Sequence, residues 1–513
     1  MADNTTKPPA LKRIPAVQKP TVDQLKTLSE KLGLQTTDDE LKEYSDVMET
    51  YCEVYQSVND LPTPHLPTKY PRTYGRAPTK EENLYNAWCW KVEIKGAPEG
   101  ILKGKTVAIK DEICISGVPM RSGSQMIDHF VPPEDTTCVT RVLDAGGRII
   151  GKTTQEEYGL SASSFTSARG PVSNPYDPTR SAGGSSTGNA VLLAKKEVDI
   201  ALGMDAGGSV RIPASLCGVV SIKPSYGLVP NTGHHNGCDN SICYTGPMTQ
   251  TVRDCAIALQ AIAGYDGGLD PTQSPSLQVP DYVSMLGTDL QDFKIGILKE
   301  GFVGRDQDVD DLVREAAMKL KTVGAIVEDV SIPMHEEGEN IWLPMMFECD
   351  DNLGHRGYYA IENRETVLDG FHSRSNTLDT FAKVMILWAN YQKTYYRMKY
   401  YMKSKNWQIE LQHAYDKVLE KYDVLVMPTM HYRPPKLPTV ESSVAEVCEL
   451  GMMWGNNCCA FNVTGHPALT INVGFTDGLP CGMQIVAKIN DDAACLRVGH
   501  IVEKIRDQTM ERH

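Results

Sequence analysis

A chain of 513 residues in which 65 Asp and Glu outnumber 51 Lys and Arg carries a formal net charge of −14, which argues against a nucleic-acid or anionic-membrane partner. Hydrophobic residues at 41% and charged residues at 23% fit a globular protein large enough for an extended core, and no apolar run approaches the about 20 residues needed to span a bilayer. The fourteen cysteines are scattered, with Cys458-Cys459 adjacent and no C-x-x-C pair, so reduced, mostly buried thiols in an intracellular protein are expected instead of a disulfide framework.

The opening stretch Met1 to Pro9 has no apolar h-region, so a cytoplasmic protein without a signal peptide is the expectation. Residues 1–20 carry Pro8, Pro9, Pro15 and Pro20 and read as an extended arm. Thr21 with Gln24, and Thr37 with Glu40, are capping-box starts for two helices. Leu25, Leu28 and Leu32 follow the first at helical spacing, with Gly33 at its exit, and Leu41, Tyr44 and Met48 follow the second. This helical segment, residues 1–75 with its proline-rich exit at Leu61 to Pro71, reads as a packing appendage, with a homodimer contact as the alternative.

From residue 76 the pattern changes, and a first core part runs to residue 334. Thr106 to Ile109, Arg148 to Ile150, Val198 to Leu202 and Val219 to Ile222 read as short apolar strands. Helical stretches such as Val139 to Ala145 and Thr187 to Lys195 lie between them. Phe293 to Leu298 and Ile326 to Val330 are further strands, joined by a helix with Val309, Leu312, Val313, Ala316 and Leu320 on one face. Such alternation predicts an α/β fold, a large mixed β-sheet covered by helices on both faces. Residues 335–420 break the alternation with a smaller helical insertion in which Trp342, Met345, Met346, Phe347, Tyr358, Tyr359, Trp388 and Tyr391 are candidates for a substrate wall. Residues 421–513 return to strand character at Asp423 to Thr429 and Ala468 to Val473 and complete the core.

The chemistry concentrates in two serine segments 24 residues apart, Gly183-Gly184-Ser185-Ser186 and Asp205-Ala206-Gly207-Gly208-Ser209-Val210-Arg211. Paired glycines let successive N–H groups converge on one concavity, as the oxyanion of an acyl-transfer intermediate requires. Upstream, Lys110 ends the apolar run Val107-Ala108-Ile109. A free lysine is protonated at neutral pH, so Lys110 serves as a base only where burial favours its neutral amine, with Asp111 opposing if it faces inward. Together these residues read as a Ser–Ser–Lys hydrolytic site.

The run from Gly104 to about Pro230 resembles the amidase signature family. Val107 to Asp111 is similar to its lysine strand, Ser181 to Ser186 to its first serine loop, and Gly203 to Ala214 to its nucleophile segment. The resemblance implies Ser209 as nucleophile, Ser185 as a bridging serine with a cis peptide, and Lys110 as base. It implies an oxyanion hole from the N–H groups of Ala206, Gly207, Gly208 and Ser209, with Asp205, Arg211 and Ser186 in support, and no cofactor or metal. Thr187 and Asn189 depart from the family's small residues outside the triad. Asn462 to Ala468 resembles a late core segment of the family. Asn86-Ala87-Trp88 and the Gly117 to Met120 turn are most similar to bacterial-type enantioselective amidases. The implied activity is hydrolysis of a small aliphatic or aromatic carboxamide, with a glutamine-amidotransferase-type amidase subunit or a fatty acid amide hydrolase-like activity as alternatives. The implied partner is a small-molecule amide, with no nucleic acid and no membrane.

Two other motifs are set aside. Gly146-Gly147-Arg148-Ile149-Ile150-Gly151-Lys152-Thr153 fits the phosphate-loop pattern, but a helix precedes it and its middle reads as a strand. Lys152→Ala is therefore expected to leave amide turnover nearly unchanged. His234-His235 reads as a solvated loop, since adjacent residues share no face and no further ligand completes a zinc site.

Overall fold

The structure, a computed structural model, describes residues 15–127, 130–234, 240–287, 289–349, 357–454 and 457–510. Two units make up the chain, Met1–His65 and Leu66–His513. In the first, α1 (Val22–Leu32) and α2 (Asp38–Asn59) each open with a complete capping box, Thr21 with Gln24 and Thr37 with Glu40. Gly33 ends α1 at φ 69°, a left-handed position that favours a residue without Cβ. Leu25 and Leu41 are buried, whereas Leu28, Leu32, Val47, Tyr51, Val54 and Val58 are exposed.

The second unit begins with β1 (Trp88–Lys95), β2 (Thr106–Lys110), α3 (Thr137–Asp144), β3 (Arg148–Thr153), α4 (Thr187–Ala194) and β4 (Ile200–Asp205). It continues with α5 (Arg211–Cys217), β5 (Val220–Lys223), β6 (Tyr244–Thr249), α6 (Val252–Ile262), β7 (Lys294–Leu298), α7 (Gln307–Lys319) and β8 (Ile326–Val330). Four helices then interrupt the sheet: α8 (Gly338–Phe347), α9 (Ile361–Arg374), α10 (Thr380–Tyr396) and α11 (Lys399–Leu419). The chain closes with β9 (Val424–Pro428), α12 (Val444–Met452), α13 (Cys459–Thr464), β10 (Ala468–Thr476), β11 (Leu479–Ala487) and α14 (Asp492–Met510).

All strands join one 11-stranded sheet in the order β1-β3-β2-β4-β6-β5-β10-β11-β9-β7-β8. β2 lies parallel to β3 and β4, and β7 parallel to β8 and β9, while the other pairs are antiparallel. Alternation along the strands serves two cores. Val107, Ile109, Ile200 and Leu202 enter one, with Val139 of α3, Leu259 of α6 and Leu496 of α14. Ala108 and Ala201 face the other way, onto Ala190 to Leu193 of α4. Further along, Val424 and Val426 of β9 join the first core, while Leu425 and Met427 pack with Met345 of α8 and Leu411 of α11. Helices thus cover the α/β sheet on both faces.

The strands expected from the sequence are present with ends a few residues away. Three strands carried too weak a pattern to be read: β1, β6 and β11. β6 holds Gly246 and Pro247, residues that argue against a central strand. It is tolerated there because β5 pairs only with Met248 and Thr249, so the missing Pro247 N–H forfeits no bond on that side.

The phosphate-loop match is overturned in structural terms. Residues 148–153 are β3, paired with β1 on one side and β2 on the other, and Lys152 is fully buried with Nζ 3.3 Å from Asp111. The solvated-loop reading of His234 also fails. His234 is buried, with Nε2 3.2 Å from Thr245 Oγ1, and burial pushes its imidazole down to about 3; His235 lies outside the described residues. Among the described residues twelve cysteines stand outside disulfides, but Cys243 is disulfide-bonded, which departs from the expectation of uniformly reduced thiols. No described helix is long and apolar enough to cross a membrane.

Candidate active site

Lys110 is the last residue of β2 and Asp205 the last of β4, neighbouring parallel strands that end on the same edge of the sheet. Ligand sites in open α/β sheets form at this carboxyl edge. The Lys110 side chain, 1% exposed, donates to Ser185 Oγ at 2.7 Å and approaches Met204 O at 3.4 Å. Its carboxylate neighbour is Glu112, whose Oε1 lies 2.7 Å from Nζ. Asp111 points elsewhere: Oδ1 faces Lys152, and Oδ2 accepts from the N–H groups of Arg121 and Gly123. The opposing carboxylate expected at Asp111 is therefore that of Glu112.

Ser185 sits in the loop before α4, and its peptide bond with Gly184 is cis. Gly184 must be glycine, because a Cβ there would lie 2.1 Å from Ser163 O. Glu156 N–H donates to Ser185 O at 3.3 Å and closes this loop from outside. Ser186 joins the two serine segments, its N–H donating to Ser209 O at 3.1 Å and its Oγ to Met204 O at 3.4 Å. Ser209 is half-buried, just ahead of α5.

The turn between Asp205 and Ser209 is built around the Asp205 carboxylate. Oδ1 accepts from Gly208 N–H at 2.7 Å and Oδ2 from Val210 N–H at 3.2 Å. The Arg211 guanidinium grips the same carboxylate with two bonds of 2.8 and 3.0 Å. Burial works against the Asp205 anion, but Arg211 and the Asn462 amide outweigh it and hold the carboxyl well below the usual range. Gly208 adopts φ 121°, a conformation that side chains rarely take. Because its N–H serves Asp205, Gly208 drops out of the expected oxyanion donors, leaving Ala206, Gly207 and Ser209 as candidates.

Several residues at this site went unread in the sequence. Asn462 donates to Asp205 O and Oδ1 at 2.9 and 2.8 Å. Gln484 Oε1 accepts from Arg211 at 2.8 Å. Trp342, seen only as a wall candidate, donates Nε1–H to Ala206 O at 2.6 Å and lies where a Cβ on Gly207 would be. Of the other wall candidates, Met346, Phe347, Tyr358 and Tyr359 line a cavity of about 780 Å³. Met345 is fully buried, and Trp388 and Tyr391 are exposed, their rings stacked 5.9 Å apart. Among the described residues no cluster of three His, Cys, Asp or Glu could hold a metal.

Comparison with known proteins places these segments in a wider group. The amidase family model matches residues 76–496. An enantioselective amidase of Rhodococcus rhodochrous is 36% identical over 501 residues, 93% of this chain and 94% of that protein. A glutamyl-tRNA(Gln) amidotransferase subunit of Methanosarcina barkeri is 36% identical over 434 residues, 82% of this chain and 88% of that protein. Among solved structures, the peptide amidase of Stenotrophomonas maltophilia matches with a TM-score of 0.66 at 26% identity, covering 80% of this chain and 84% of that one.

Proposed function

This chain belongs to the amidase family of amide-hydrolysing enzymes, and from that premise we propose that it is a serine amidohydrolase that releases ammonia or an amine from an aliphatic or aromatic carboxamide through an acyl-enzyme on Ser209. The carrying observation is the 2.7 Å contact of Lys110 Nζ with Ser185 Oγ, in a loop whose next residue is hydrogen-bonded to Ser209. In this reading Lys110 takes the proton of Ser185 as Ser185 takes that of Ser209. The Ser209 oxygen forms its bond to the amide carbon, and the N–H groups of Ala206, Gly207 and Ser209 receive the oxyanion. Collapse breaks the C–N bond, and the leaving nitrogen takes the proton back through Ser185. Water repeats the relay and frees the carboxylate. Asp205, Arg211 and Ser186 position the turn and do not react.

A fluorophosphonate probe is expected to modify Ser209, read by peptide mass spectrometry, and Ser209→Ala to abolish ammonia release. Lys110→Arg is expected to lose about 10²–10⁴-fold in rate, since a guanidinium stays charged. Modification of Ser186 or a cysteine, or good turnover by Lys110→Arg, overturns the assignment.

The likeness to amidotransferase subunits supports a second reading, in which released ammonia passes to a partner protein. Co-purification of such a partner with the tagged chain separates the two. We further propose a homodimer through α1 and α2, supported by the apolar residues those helices expose. The twelve cysteines outside disulfides support a cytoplasmic setting, against which the Cys243 disulfide stands.

A further inference from the structure

Lys110 Nζ meets three acceptors, one for each N–H of a charged lysine: Ser185 Oγ at 2.7 Å, Glu112 Oε1 at 2.7 Å and Met204 O at 3.4 Å. The contact with Glu112 is an ion pair at the length of a charge-assisted hydrogen bond. A lysine in such a pair has no lone pair with which to take the Ser185 proton. It can relay one only by releasing another, and of its three neighbours the carboxylate is the group placed to receive it.

Glu112 is held for that exchange. It is buried just past the end of β2, where its N–H donates to Gln155 Oε1 at 2.7 Å and its Oε2 accepts from Gln155 Nε2 at 3.3 Å. One buried amide thus fixes both the backbone and the carboxylate, and leaves Oε1 to Lys110. Gly159 closes the site from the other side: its φ is 68°, and a Cβ there would lie 3.1 Å from Glu112 Oε2 and 3.4 Å from Ser185 Oγ. The neighbouring carboxylates turn away, Asp111 to Lys152, Glu156 to Thr166, and Glu157 to Ser124 and the Asp379 N–H. Among the described residues, Lys110 is therefore the charged group that meets the Glu112 carboxylate.

We propose that Glu112 is the terminal proton acceptor of the relay, so that the site works as Ser209–Ser185–Lys110–Glu112. This rests on the serine amidohydrolase reading. As the Ser209 oxygen bonds the amide carbon, its proton passes to Ser185 Oγ, the Ser185 proton to Lys110 Nζ, and one of the Lys110 protons to Glu112 Oε1. The lysine ends with as many protons as it began with, and the carboxylate becomes a carboxylic acid. When the C–N bond breaks and its electron pair stays on nitrogen, the proton returns along the same path to the leaving group.

Glu112→Gln keeps the size of the side chain and an oxygen for Lys110 but cannot hold the proton. Its kcat for ammonia release is expected to fall about 10²–10⁴-fold with KM little changed. Glu112→Asp, which restores a carboxylate, is expected to recover about tenfold or more of that loss. Labelling of Ser209 by a fluorophosphonate reports activation of the nucleophile without any leaving amine, and is expected to slow in the same order. Each variant is first checked for an intact urea unfolding transition. If neither folds, Gln155→Met, which releases the carboxylate from its amide, is expected to slow labelling about tenfold or more. Turnover or labelling by Glu112→Gln at the wild-type rate, a Glu112→Asp no faster than Glu112→Gln, or an unaffected Gln155→Met overturns the proposal. If the wild type turns over no amide, the amidohydrolase reading fails, and the labelling rates still decide whether Glu112 activates Ser209.

Discussion

Arg211 and Asp205 are both fully buried and hold each other through two hydrogen bonds. Arg211→Met keeps the apolar length of the side chain but strands the carboxylate in a dry interior. Removing one partner of a buried pair costs about 3–5 kcal/mol, so the urea midpoint is expected to fall by that equivalent. A loss below about 1 kcal/mol would mean that another group takes up the Asp205 charge. Glu156, which closes the Ser185 loop, titrates in a different sense. Burial pushes its carboxyl up to about 7, against hydrogen bonds from Thr166 and Ser161 that favour the anion. An unfolded glutamate titrates near 4.3, so between the two values the folded chain binds a proton that the unfolded chain has released. The contribution is complete below about 4.3 and is lost as pH rises through about 7. Glu156→Gln is expected to flatten this stretch of the pH–stability curve, measured as urea midpoints from pH 4 to about 8; a slope equal to wild type would show that Glu156 is ionised throughout. At this scale Lys110, Ser185 and Ser209 were legible because each stands beside a local marker, an apolar run or paired glycines. Asn462 and Gln484 were not, because their roles come from meeting Arg211 across 251 and 273 residues, a pairing that no local pattern encodes.

β3 shows how an element can look like a motif it is not. Its Gly151-Lys152-Thr153 is committed to ladders on both sides, and its lysine balances Asp111, which receives the N–H groups of the Arg121–Gly123 turn. Lys152→Ala is therefore expected to destabilise the fold by about 3 kcal/mol or more, an effect on stability separate from the unchanged turnover expected from the sequence. Calorimetric titration with ATP is expected to show no binding to the wild type or the variant. Micromolar binding that disappears in the variant would restore the nucleotide reading. Apolar runs made β2, β4 and β9 readable, since buried strands need no polar alternation. β6 escaped because Gly246 and Pro247 suit its register while contradicting strand propensity, and the helices of residues 335–420 were legible as helices but not by which side chains reach the cavity.

At the scale of the whole chain, Met1–His65 and Leu66–His513 are separate units, and both serine segments lie in the second. A chain of residues 66–513 is expected to keep its unfolding transition and its turnover per site, while its mass by light scattering halves if α1 and α2 join two copies. An unchanged mass would remove the dimer contact from those helices. The sheet itself is assembled from both ends of the sequence, since β5 pairs with β10 and the Arg211 guanidinium reaches Asn462, Cys458 O and Gln484. Translation delivers these parts in order, N-terminus first. Asp205 and Arg211 leave the ribosome some 250 residues before the side chains that complete their shell, so the Asp205–Ser209 turn waits without that support through half of synthesis. The shell around the Asp205–Arg211 pair is therefore complete only once translation has passed Gln484, and a chain cut short before that codon carries the two serine segments with Arg211 lacking one of its acceptors.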